Sequence, residues 1–259
     1  MTEGYRALCS DFYINQKLSV KLDLPRSRET MLDLFERVRK QYPGMASFRR
    51  YKDELALESA LDDPPHRWLA VRSSNIRSGV VNPETTEDGY GLHRVVLEVA
   101  PYFLSISPLD LEYIELLYGF DLACSANQDA LVARALLEGS PLASLLDVDN
   151  AIPLDFQPLV GLLALQPDAG GDGASSNHTE VHFEVKTRST IASVIEPDRV
   201  VEPISVYLTL RRYEPVTDLK RLAQMFDELA EIGEEIASSR VLPYLVAPIR
   251  EAISAEEAG

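Results

Sequence analysis

From Phe12 to Leu24 the chain alternates apolar and polar positions. Phe12, Ile14, Leu18, Val20, Leu22 and Leu24 share one face, and Tyr13, Asn15, Lys17, Ser19, Lys21 and Asp23 share the other. A period of two marks a half-buried strand. Pro25 ends it. Ser27 is placed to cap a helix with Met31, Leu34, Phe35, Val38 and Tyr42 at helical spacing, stopped by Pro43 and Gly44. Strands are predicted over 46–57 and 67–77, then a turn or exposed loop from Asn82 to Gly91, then a strand over 93–105. Ser107, Pro108 and Asp110 form a helix-start signal, which predicts a helical region to about Gly139, broken near Ser125.

Residues 140–155 read as irregular. A strand over 156–166 is apolar on both faces, so it should be central or covered by a partner. A Gly-rich loop over 168–177, a strand over 178–188, a turn near Pro197 and a strand over 203–213 follow. Leu219, Leu222, Phe226, Leu229, Gly233 and Ile236 then make one helical stripe. A last helical piece is predicted over 241–254.

The predicted order is βα-βββα-βββα, which gives an α+β fold with a mostly antiparallel sheet and helices on one face. It is read as a single domain, 1–259, with a βα start (11–43), two βββα units (45–139 and 156–238) and a C-terminal helix (241–254). The two units can be overlaid. Leu69 falls on Phe183 and Val71 on Val185, and, with gaps, Leu97 and Tyr102 fall on Leu208 and Tyr213. The overlay reads as an internal duplication; the alternative is that any two amphipathic strand pairs align this well once gaps are allowed.

Composition adds limits. Acidic residues number 41 against 25 basic, a formal charge of -16. Such a field repels phosphate backbones and anionic lipid, so neither nucleic acid nor membrane is an expected partner. Cys9 and Cys124 are the only cysteines, which suits a reducing, cytoplasmic setting. No apolar run approaches the roughly 20 residues that span a bilayer, and the first residues lack the apolar core of a signal peptide.

The most suggestive chemistry lies on the strand 178–188. His178, Glu180, His182, Glu184 and Lys186 project from one face, with alternate residues about 6.6 Å apart. Imidazole with carboxylate suits zinc or non-haem iron, which makes His178, Glu180, His182 and Glu184 candidate metal ligands. The plainer reading is the wet face of an antiparallel sheet. Tyr207 and Arg211, on the strand 203–213, would flank that row if the strands are neighbours. With Lys186 they could bind a small anion or stack a planar ligand; cross-strand pairs on an exposed sheet are the plainer reading. The Gly-rich loop lacks the lysine and helix N-terminus of a phosphate cradle, Asp147 and Asp149 lack the rest of a calcium loop, and no nucleophile elbow is present. No cofactor is expected.

The segments Glu184–Ser189 and Glu202–Tyr213 resemble a signature from a family of uncharacterised bacterial proteins of similar length. The resemblance covers most of the chain, specifies strands rather than chemistry, and implies no residue roles. The function expected is therefore a non-enzymatic interaction or self-assembly protein using an open sheet face, for self-association or another protein. The alternative is a small-molecule or metal-binding protein centred on the His178–Glu184 face.

Overall fold

A computed structural model describes residues 5–62, 64–165, 178–192 and 202–257. The Gly-rich loop and the turn near Pro197 lie outside the described residues. The chain forms β1 (Asp11–Val20), α1 (Arg28–Gln41), β2 (Ser47–Arg50), β3 (Leu55–Glu58), β4 (His66–Val71), β5 (Asn75–Val81), α2 (Thr86–Phe103) and β6 (Leu111–Leu122). After these come α3 (Gln128–Leu137), β7 (Leu159–Leu165), β8 (His178–Lys186), β9 (Ile204–Tyr213), α4 (Arg221–Ile236), a π-helical stretch (Ala237–Val246) and α5 (Ala247–Glu257). Ser27 caps α1 by accepting from the Thr30 N–H, and Met31, Leu34, Phe35 and Val38 are buried, as their spacing requires.

The described strands form one nine-stranded sheet in the order β2-β3-β4-β5-β1-β6-β9-β8-β7, with every adjacent pair antiparallel. The fold is α+β. Helices α2 and α4 cover one face, α2 over β5 and β1 and α4 over β6 and β9. The core lies between these layers. It is built from the even positions of the central strands, such as Ile14, Leu18, Leu116, Phe120, Val206 and Leu208. Outward from the central β1–β6 pair, one arm runs β5-β4-β3-β2 and the other β9-β8-β7.

The element order differs from the expected βα-βββα-βββα in three places. The stretches predicted as single strands over 46–57 and 67–77 are each a hairpin, turned where Tyr51 N–H donates to the Glu54 carbonyl and where Arg72 N–H donates to the Asn75 carbonyl. Helix α2 replaces the expected loop and strand over 82–105. Thr85 caps it, and Gly89 brings it so close to the sheet that a Cβ there would stand 2.7 Å from Ile14 Cδ1. The helix-start signal at Ser107 does make a capping box, but it closes only the three-residue 3-10 turn Pro108–Asp110. The expected helix beyond it is strand β6 up to Leu122.

These changes alter the overlay of the two units. Residues 67–71 and 181–185 lie on β4 and β8, which are each the third strand outward in their arms, counting from β1 and β6. The overlay of Leu97 and Tyr102 on Leu208 and Tyr213 matches a helix to a strand and does not hold.

Candidate functional site

The face of the sheet away from the helices carries the expected polar row. His178, Glu180, His182, Glu184 and Lys186 stand opposite Tyr213, Arg211, Thr209, Tyr207 and Ser205 on β9. Tyr207 and Arg211 therefore flank the row as their strand alternation requires. The side chains engage one another. The His178 ring stacks on Tyr213 with centroids 4.8 Å apart. Glu180 takes His182 Nε2 at 3.4 Å and Arg211 Nη1 at 3.3 Å. Lys186 Nζ lies 3.1 Å from Glu184 and 5.8 Å from the Tyr207 ring centroid. Arg211 also donates from Nη2 to Glu115 at 2.6 Å and lies over the Tyr113 ring.

This is a ladder of cross-strand pairs joined by contacts along β8 itself. The four candidate metal ligands share a face but do not all converge: Glu180 and His182 engage each other, while His178 stacks on Tyr213 and Glu184 pairs with Lys186. Among the described residues, no group of three or more His, Cys, Asp or Glu side chains is placed to hold a metal ion.

A second polar group on the same face was not singled out from sequence. Tyr13 donates to Asp121 at 3.1 Å, and its ring meets Tyr207 edge-on. Arg188 donates to Ser205 Oγ at 2.9 Å and Tyr207 Oη at 3.3 Å. Burial pushes the Asp121 carboxyl up from its ordinary range against the pull of its Ser205, Tyr13 and Arg188 partners. Burial, then the hydrogen bond with Tyr207, also raises Tyr13. Gly119 makes this group possible: a Cβ there would stand 2.2 Å from the Tyr13 ring, which lies flat across the neighbouring strand. Since β1 and β6 are far apart in sequence, only their pairing reveals the cluster.

The exposed apolar surface is concentrated elsewhere. Among the described residues, ten of the nineteen exposed large apolar side chains fall between Leu142 and Leu163. Four lie on β7, where Leu159, Val160, Leu162 and Leu163 are 61%, 52%, 54% and 59% exposed. The strand expected to be central or covered is thus an edge strand, paired only with β8 among the described strands. Leu159 and Leu163 project to the polar face, opposite Glu184 and Glu180; Val160 and Leu162 project to the helix side, opposite Phe183 and Val181. On that side an apolar groove of about 690 Å³ opens between β7 and β8 and the 236–245 stretch, with Tyr244 and Leu245 on its far wall.

Comparison with protein-family models and with curated proteins yields no match to this chain. The likeness drawn from the 184–189 and 202–213 segments accordingly carries no residue role. No helix among the described residues is long and apolar enough to cross a membrane.

Proposed function

We propose that this protein is a non-enzymatic self-assembly protein in which β7 pairs antiparallel with β7 of a second copy. The observation that carries the reading is an uncharged strand, apolar on both faces, at an edge of the sheet. Such an edge presents a row of backbone N–H and C=O groups to any strand that matches it, and proteins that remain alone blunt it with charge, proline or a bulge. None of these occurs between Leu159 and Leu165.

A second copy fits better than an unrelated strand for two reasons. Pairing about a two-fold axis at Leu162 sets Val160 opposite Ala164 and Gly161 opposite Leu163, so large side chains meet small ones on each face. Two chains of charge -16 can also approach most closely along a strand with no charge of its own. Burying a half-exposed leucine or valine is worth about 1 kcal/mol, so four per copy supply about 8 kcal/mol across the pair. That lies within the roughly 4–15 kcal/mol that association costs. Backbone hydrogen bonds between the two strands add to it.

The interface therefore sits at the edge of the sheet rather than on its open face, whose side chains already pair with one another. Sedimentation velocity over a micromolar concentration range tests the reading. The expected result is a dimer that strengthens with salt, as repulsion between two acidic chains is screened, and that is lost in Leu162→Lys with the fold intact. A chain that stays monomeric throughout, or a dimer indifferent to Leu162→Lys, overturns it.

A further inference from the structure

At the opposite end of the sheet a cavity of about 770 Å³ opens between the first turns of α1 and the β2–β3 hairpin. Phe48 and Arg50 project into this helix-side space because they stand opposite Leu57 and Leu55, whereas Arg49, opposite Ala56, projects to the other face. Part of the lining is apolar and exposed: Leu32, Phe48 and Tyr51 are 41%, 51% and 49% exposed. Phe48 is seated by Phe35, with ring centroids 5.8 Å apart.

Four cations surround that apolar lining: Arg26, Arg28, Arg50 and Lys52. Among the described residues Arg26 reaches only the Asp53 carbonyl, at 3.4 Å. Arg28, Arg50 and Lys52 make no ion pair among the described residues. Cations just outside the cavity behave differently: Arg49 faces Glu58, while Arg72 and Arg77 share Glu54. Glu54 is thereby committed, which leaves Asp53 as the one uncommitted carboxylate among the lining residues. In a chain with a formal charge of -16, acids were available to neutralise this rim, yet Asp53 is the one uncommitted carboxylate placed there against four cations. Like charges held together repel one another, and an anion seated among them relieves that repulsion.

We propose that this cavity is a binding site for a small amphipathic anion. A carboxylate or phosphate head would be held by Arg28, Arg50 and Lys52, and an apolar or aromatic body would lie on Leu32, Phe48 and Tyr51. Arginine suits such a head because its planar fork meets two oxygens at once. The site is independent of self-assembly through β7, since it lies at the other end of the sheet.

Isothermal titration with four probes of one chain length tests it: decanoate, decyl phosphate, decanol and decyltrimethylammonium. Both anions are expected to bind and to weaken with added salt, while the neutral and cationic probes do not bind. The double variant Arg50→Glu, Lys52→Glu, whose residues are exposed and outside the core, is expected to lose at least about tenfold in anion affinity. Leu162→Lys is expected to bind the anions as the unaltered chain does. Equal binding of decanol, unchanged affinity in the charge-reversed variant, or loss of anion binding in Leu162→Lys each overturns the assignment.

Discussion

The two edges of the one sheet are built on opposite rules. β2 is four residues long and carries Arg49 and Arg50, with Lys52 just beyond. β7 is seven residues long, carries no charge, and exposes apolar side chains on both faces. Both edges belong to the same acidic chain, so the contrast reflects local placement of residues rather than composition. Short strands and cationic side chains are the usual way to stop a sheet from adding strands. One edge is closed in this way and the other is left open. In the proposed assembly the pairing would be self-limiting: β7 would join β7 about a two-fold axis, and the charged β2 edges at the far ends would resist further growth into a filament.

The contrast can be broken most strongly at β7. In Leu162→Lys, two lysines would oppose each other across the two-fold axis at the centre of the strand pair. Self-association is expected to weaken by at least about a hundredfold, close to 3 kcal/mol, measured by sedimentation across a dilution series. At dilutions where the unaltered chain is monomeric, unfolding midpoints should barely differ, because Leu162 is half-exposed in the single chain.

The interior of the two arms differs as well, and pH separates them. Beside β5, His93 is fully buried and hydrogen bonds to Ser78 at 2.7 Å, and burial lowers its imidazole from 6.5 to about 3. Beside β9, the buried Arg212 pairs with Glu228, whose carboxyl is held low by Arg221 and then, against burial, by Arg212. His93 is neutral when folded but takes up a proton when unfolded below about pH 6.5. Its contribution is therefore complete above 6.5 and falls as the pH drops toward 3. The Glu228 contribution is lost only below its unfolded value of 4.5. Between pH 6.5 and 4.5 this pair's loss belongs to His93, about 2–3 kcal/mol. His93→Gln should flatten that part of the profile, whatever its effect on absolute stability. Denaturant midpoints at half-unit pH steps check this, and an unchanged slope in the variant contradicts it.

The smallest effect is expected at the closed edge. Replacing Arg49 and Arg50 by threonine removes the charges from β2, and species larger than a dimer should then appear at high concentration. A variant with the same sedimentation profile as the unaltered chain means that length alone, rather than charge, closes the β2 edge.

Some of this architecture was legible in sequence for definite physical reasons. The alternation in 12–20 and 178–186 is enforced by one buried face, and it placed the His178–Lys186 row and its flanking Tyr207 and Arg211 correctly. In two places the local signal and the period point in opposite directions, and the period decides. Ser107, Pro108 and Asp110 are a true capping box, yet Ile114, Leu116, Tyr118 and Phe120 repeat at two and build β6. Over α2, the stretch from Asn82 to Gly91 reads as a loop and 93–105 as a strand, whereas Tyr90, His93, Val96, Leu97 and Ala100 repeat at helical spacing and are buried. The apolar run over 156–166 predicts a strand, and β7 is found within it at Leu159–Leu165. Its place at an edge was not legible, because pairing order depends on contacts between distant segments. For the same reason the Tyr13–Asp121 group and the cationic cavity stayed hidden.

Cysteine cross-linking tests the central claim most directly. A two-fold pair of β7 strands brings the two Leu162 positions within about 4.5–5.5 Å between Cα atoms, a separation that a disulfide spans. The native thiols are poor competitors, since Cys124 is buried and burial pushes Cys9 up to about 12. Leu162→Cys, oxidised gently, should therefore convert to a covalent dimer, while Phe48→Cys at the opposite edge should remain monomeric on a non-reducing gel. Absence of the Leu162→Cys cross-link, or equal capture at both edges, contradicts pairing through β7.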